Sequence, residues 1–193
     1  SLALSACTGS MADGRNRPMA PAALDTARFD AAGIRTTGRC EDVAGRYADA
    51  GHVFGQEGEA PAAGFAAGVF RMVLPADQGR PRANEALGFR LDADASALTV
   101  DLHGSGVSRE RVYPCVCEDG WVRVVVEEGK QGLADGVVQQ ALRSDIWLAR
   151  SISGDVLVQV SARGRDSYYL ARNLPWSKDA WYRFPAVAEA TPE

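Results

Sequence analysis

Between Leu87 and His103 the chain alternates apolar and polar residues with a period of two. Leu87, Phe89 and Leu91 are interleaved with Gly88, Arg90 and Asp92; after the turn DADAS, Leu98, Val100 and Leu102 are interleaved with Thr99, Asp101 and His103. Successive side chains of an extended chain point to opposite faces, so each run has one apolar and one wet face, and the turn folds one run onto the other as a β-hairpin. WVRVVVE at 121–127 is a β-branched run. Residues 146–152, then SGD, then VLVQVSA from Val156, then GRD, then SYYLA from Ser167 predict three consecutive antiparallel strands joined by tight turns. GVFRMVL at 68–74 adds an apolar segment ahead of the loop PADQGRPRANEA, VAGRYA at 43–48 opens the sheet, and DGVVQQALRS at 135–144 reads as a helical turn or a bent strand.

Roughly eight to nine strands at short spacing predict an all-β domain built as an antiparallel meander. Local hairpins favour closure into a small barrel, which leaves no free edges, with a two-sheet sandwich as the alternative. Gly45 and Tyr47 in GRYADAG resemble the glycine-x-tryptophan opening of the lipocalins, with Tyr in place of Trp. That resemblance implies a lipocalin-like topology and carries no ligand with it.

The 193 residues suffice for one domain with a core and a tail, and no apolar run approaches the roughly 18 residues of a membrane-spanning helix. The formal charge is −4, and 19 arginines and two lysines are scattered singly, without the basic stripe of a nucleic-acid-binding protein. Nucleic acid is therefore not an expected partner.

The opening SLALSACTGS has apolar residues up to Leu4, then small Ser5 and Ala6, then Cys7. Leu4, Ser5, Ala6 and Cys7 resemble the bacterial lipobox. The resemblance implies that residues 1–6 are a signal-peptide remnant, that Cys7 carries diacylglycerol on its sulfur, and that the new amino terminus is acylated. Several acyl chains at roughly 0.8 kcal/mol per buried CH₂ anchor stably. Thr8 rather than aspartate after the cysteine implies the outer membrane of a Gram-negative bacterium, facing the periplasm. Residues 7–38, rich in Ala, Gly, Pro, Arg and Asp, read as a tether with a short helix at 21–32, in which Leu24, Ala27 and Ala31 share a face and Gly33 is the stop. Fully extended, its roughly 30 residues would reach about 100 Å. The β domain is expected over 39–185, followed by a tail at 186–193.

With Cys7 assigned to lipid, three cysteines remain. Cys115 and Cys117 are two apart and share a face of a strand; one of them can pair with Cys40 in an oxidising compartment, and a strained Cys115–Cys117 bond is the alternative. A metal centre would need four clustered soft ligands, and only His52 and His103 join the cysteines, so no metal or other cofactor is expected. NLPWSKDAWYRFP at 173–185 concentrates Trp176, Trp181, Tyr182 and Phe184. Alternation puts Trp181 and Arg183 on one face and Tyr182 and Phe184 on the other, either as core or as an aromatic rim for a ligand or a protein partner formed by Trp176, Trp181, Tyr182 and Arg183.

Catalytic patterns do not hold. In HGSGV the glycines flank Ser105 directly, whereas a nucleophile elbow places them two residues away on each side. Asp92, Asp94 and Ser96 begin like a calcium loop, but Ala97 and His103 stand where Gly and Glu are needed. Glu127 and Glu128, and Glu57 and Glu59, are neighbours in sequence only. The expected function is a non-enzymatic, membrane-anchored periplasmic module that binds an envelope component, a protein, through the open end of the β domain. Alternatives are a carrier of an apolar small molecule inside a barrel and an enzyme whose site is scattered in sequence.

Overall fold

A computed structural model describes residues 22–55, 58–70, 76–77, 80–81, 86–104, 107–132, 139–168 and 171–187. After a one-turn helix α1 (Ala27–Ala31) and a 3₁₀ turn (Cys40–Val43) come β1 (Gly45–Ala48), β2 (Ala50–Gly55), β3 (Gly58–Ala63) and a helical turn (Ala66–Phe70). Two short strands follow, β4 (Ala76–Asp77) and β5 (Arg80–Pro81). The long meander is β6 (Ala86–Leu91), β7 (Ala97–Gly104), β8 (Val107–Glu118), β9 (Trp121–Gly132), β10 (Gln139–Arg150), β11 (Val156–Tyr168) and β12 (Ala171–Phe184). Apart from the β4–β5 pair, the strands form one antiparallel sheet in the order β1-β6-β7-β8-β9-β10-β11-β12-β2-β3.

The protein is thus all-β, and β6–β12 form an antiparallel meander of neighbouring hairpins. As a ladder the order is open, with β1 at one end and β3 at the other. Asp49 alone separates β1 from β2. Tyr47 bridges Ala186, with Ala48 N–H donating to Pro185 O (2.9 Å) and Val187 N–H to Arg46 O (2.9 Å).

Several elements depart from the sequence reading. The GRD at 164–166 does not turn: β11 runs straight through it, because Arg163, Gly164 and Arg165 keep their register with both β10 and β12. Of the two readings of 135–144 the bent strand holds from Gln139 onward, with a register shift between Gln140 and Leu142, whereas β8, not expected, forms over a stretch whose polar run SRER and Pro114 hid it. The apolar segment at 68–74 does not begin as a strand. Ala66–Phe70 is a helical turn, with Phe65 and Phe70 buried in the core. Two-residue turn chemistry does govern the β8–β9 hairpin, where Asp119 (φ 51°) and Gly120 (φ 78°) both take positive φ, the requirement of a type I′ turn.

Each face of the sheet owns a core. On one face, Tyr47, Leu87, Phe89, Leu98, Val100, Leu102, Val122, Val124, Ile146, Leu148, Val156, Val158 and Phe184 form a continuous cluster with Phe65 and Phe70. Phe65 and Phe184 stack with centroids 3.8 Å apart, and Phe89 packs edge-on to Phe65 at 5.7 Å. The Tyr47 hydroxyl donates to Val43 O (3.0 Å), and burial pushes its ionisation up to about 12. On the opposite face, Phe54, Trp121, Trp147, Ala149 and Leu157 pack around Phe29, with Leu24, Ile34 and Trp181 at the margin. Strand β10 is therefore buried on both sides, Ile146 and Leu148 inward, Trp147 and Ala149 outward.

Candidate functional site

The outer core exists because residues 22–37 lie across the sheet as a strap. Phe29, 1% exposed, stacks on Trp121 (5.9 Å between centroids) and meets Phe54 edge-on at 5.5 Å. Burying one such ring contributes about 1.5–3 kcal/mol. The helix is shorter than the sequence suggested, and its buried anchor is Phe29 rather than the alanine face. Past the helix the strap joins the sheet through Thr37 N–H to Arg150 O (2.8 Å) and Ile152 N–H to Arg35 O (2.9 Å).

At its end the strap meets the β8–β9 hairpin, where a Cβ on Gly120 would lie 2.5 Å from the Gly38 backbone, so only glycine allows this approach. Two residues on, Cys40 is bonded to Cys117. Cys115 is the free cysteine among the described residues; its thiol donates to Ala95 O (3.3 Å), and burial, aided by Asp92 and Asp94, pushes its ionisation up to about 11. Such a thiol stays protonated near neutrality and is a poor nucleophile.

Where the strap begins, a charged cluster is buried beneath it. Asp145 is fully buried and accepts from Arg123 Nη2 (2.7 Å), from Arg143 Nη2 (3.1 Å) and Nε (3.2 Å), and from the Ala22 amide (3.2 Å). Burial alone would raise its ionisation; the hydrogen bonds from Arg143 and Arg123 outweigh burial and hold it below the usual aspartate range. The Arg123 guanidinium lies 5.1 Å from the Trp147 ring centroid, a cation–π contact, and its Nη1 is 3.6 Å from Glu118. A cleft of about 250 Å³ opens here, lined by residues 22–24, Glu118, Asp119, Arg123 and Trp147. Two buried donors beside it, Arg123 Nε and Trp147 Nε1, have no hydrogen-bond partner among the described residues. Unmet buried donors cost roughly 1–3 kcal/mol each.

The residues singled out from the sequence are dispersed over both faces of the sheet. Cys7 and Ser105 lie outside the described residues. Trp176 stands opposite Gly164 in the β11–β12 register, and its side chain lies outside the described residues. Trp181 packs at the margin of the outer core, donates from its indole to Asp25 O (2.8 Å) and carries Arg28 over its ring at 5.6 Å. Tyr182 packs against the inner core beside Phe184, and burial raises its ionisation. Arg183 pairs with Glu59 (2.6 Å), which also lies 3.5 Å from His52 Nδ1. These are half-exposed partners on the outer surface, and His103 pairs with Ser108 across the β7–β8 ladder. Asp92 accepts the Ser96 and Ala97 amides at 2.7 and 2.9 Å as the hub of its turn. Among the described residues no group of three His, Cys, Asp or Glu is placed to hold a metal.

Sequence reasoning missed Arg123, Arg143, Asp145, Trp147 and Gln159. The available signal was the run IWLA, apolar at successive positions, which marks a strand covered on both sides. No family model matches this chain, and neither a curated protein nor a solved structure matches it.

Proposed function

We propose that this chain is a lipid-anchored protein of the Gram-negative outer membrane, held through Cys7, that acts in the periplasm as a non-enzymatic module binding an envelope protein. The observation that carries the reading is the contrast between the two sides of the sheet. Among the described residues the inner face holds Tyr47, Phe65, Phe70, Phe89 and Phe184, with those rings in mutual contact. The outer face grips a length of polypeptide, its own strap, through side chains that bond to main chain. A carrier needs the first face empty; a protein-binding module needs the second. The Leu4-Ser5-Ala6-Cys7 resemblance supports the anchor, and the disulfide suits an oxidising compartment.

For the architecture, we propose a closed, lipocalin-like barrel in which residues 45–55 act as one bent strand. Their β1 half pairs with β6, their β2 half pairs with β12, and the amide bonds around Tyr47 and Ala186 support closure.

Crosslinking in the native envelope, read by mass spectrometry, tests the module. The expected products are adducts to a polypeptide, with acyl chains on Cys7 in the same spectra. Recovery of an apolar small molecule with no polypeptide adduct would favour the carrier, and an unmodified Cys7 would remove the anchor.

A further inference from the structure

Arg123, Trp147, Gln159 and Trp181 stand in one row across β9, β10, β11 and β12, each the register partner of the next. The strap's first described residues are held along this row by their backbone. The Trp181 indole donates to Asp25 O (2.8 Å). Gln159 accepts the Asp25 amide (2.7 Å) and donates to Ala23 O (3.3 Å), while Asp145, beside the row, accepts the Ala22 amide (3.2 Å). None of these bonds reads a strap side chain. The Trp181–Gln159 half of the row is thus satisfied by main chain. Among the described residues the Trp147–Arg123 half is not: Trp147 Nε1 and Arg123 Nε are buried donors without an acceptor there, and Trp147 is only 3% exposed.

We propose that the cleft at this end of the row binds an extended segment of a partner polypeptide carrying a basic side chain. Two of its main-chain carbonyls accept from Trp147 Nε1 and Arg123 Nε, and its basic group lies against Glu118 and Asp119. This deepens the protein-binding reading by naming where and what the module binds. The unmet groups are donors, so the ligand supplies acceptors. A carboxylate or phosphate is disfavoured, because Glu118 and Asp119 line the cleft and Arg123 already faces Glu118 and Asp145 through its other nitrogens. Neutral carbonyls with a nearby cation fit both facts. At about 250 Å³ the cleft is smaller than the roughly 300–1,000 Å³ of a typical small-molecule pocket, which suits a chain passing through better than an engulfed ligand. Because both nitrogens are buried, seating the segment requires residues 22–24 to move outward slightly.

The test uses the full chain and two capped peptides, acetyl-Ala-Ala-Arg-Ala-amide and its glutamate counterpart, read by NMR of the indole N–H resonances. Loss of one resonance in Trp147→Phe assigns the reporter. The arginine peptide should shift the Trp147 indole saturably, with the glutamate peptide about tenfold weaker. Glu118→Gln and Asp119→Asn, surface changes that keep the fold, should each weaken the arginine peptide about threefold or more. A Trp147 resonance unmoved by peptide, or equal binding of both peptides, overturns the site. Binding that appears only after residues 1–21 are deleted also overturns it, assigning the cleft to the chain's own preceding segment. If envelope crosslinking finds a polypeptide partner while Trp147 stays unmoved, this site falls and the module reading stands.

Discussion

Asp145 is the residue on which the outer face most depends, since one carboxylate neutralises Arg123 and Arg143 and receives the strap's first amide. Removing one partner of such a buried group strands the others; Asp145→Ala should cost about 3–5 kcal/mol in urea denaturation. Its folded ionisation is depressed relative to the unfolded chain. The stabilisation is therefore fully present above the unfolded aspartate value of about 3.9 and is lost as pH falls through the lower folded value. Asp145→Asn should be less stable than the native chain at neutral pH and should show a shallower loss below about pH 4; parallel acid limbs in the two proteins would refute the role. Nothing in RSDIW announces this cluster. Alternation puts Arg143, Asp145 and Trp147 on one side, which reads as a wet face until a strap covers it. Alternation did make Tyr182 and Phe184 legible as partners on the inner side, because that face is covered by the sheet's own residues.

Among elements, the strap is the one whose role the sequence concealed. Composition alone makes residues 22–37 look like the rest of the tether, and one phenylalanine in the right place suffices to change that. Hairpins were legible because their determinants are local, whereas the strap's backbone is held by groups more than 100 residues away in sequence, as between Ala22 and Asp145. The Cys40–Cys117 bond closes a separation of 77 residues at the foot of the strap, and constraining a loop of that length stabilises by about 4.5 kcal/mol in the chain-entropy account. Sequence left Cys115 and Cys117 equal as partners. Burial separates them: Cys115 points into the inner core against Ala95 O, while Cys117 is exposed next to the strap's end. Replacing Cys40 and Cys117 by serine should lower stability by about 2–5 kcal/mol. It should also loosen the strap more than the inner core, read as faster amide exchange at Thr37 and Ile152 than at Leu148. Equal losses everywhere would mean that the bond does not act through the strap.

At the scale of the whole molecule, the question is whether the sheet's two ends act as one. β1 and β3 end the ladder, yet β1 runs into β2 through a single residue, and the segment after β12 reaches back to β1 at Ala48 and Val187. A free edge frays, and the free energy for opening its amides approaches zero; amides inside a closed ring open only with the fold as a whole. If the barrel closes as proposed, the Ala48 and Val187 amides exchange with protection within about 1 kcal/mol of amides in the β10–β11 ladder. Open ends predict exchange faster by several orders of magnitude at both positions, with β6 and β7 next to lose protection. Closure also bears on function. A sealed ring around the aromatic core would leave the outer face, with its strap and cleft, as the surface for the proposed partner chain, whereas an open ladder would also offer β1 as an edge.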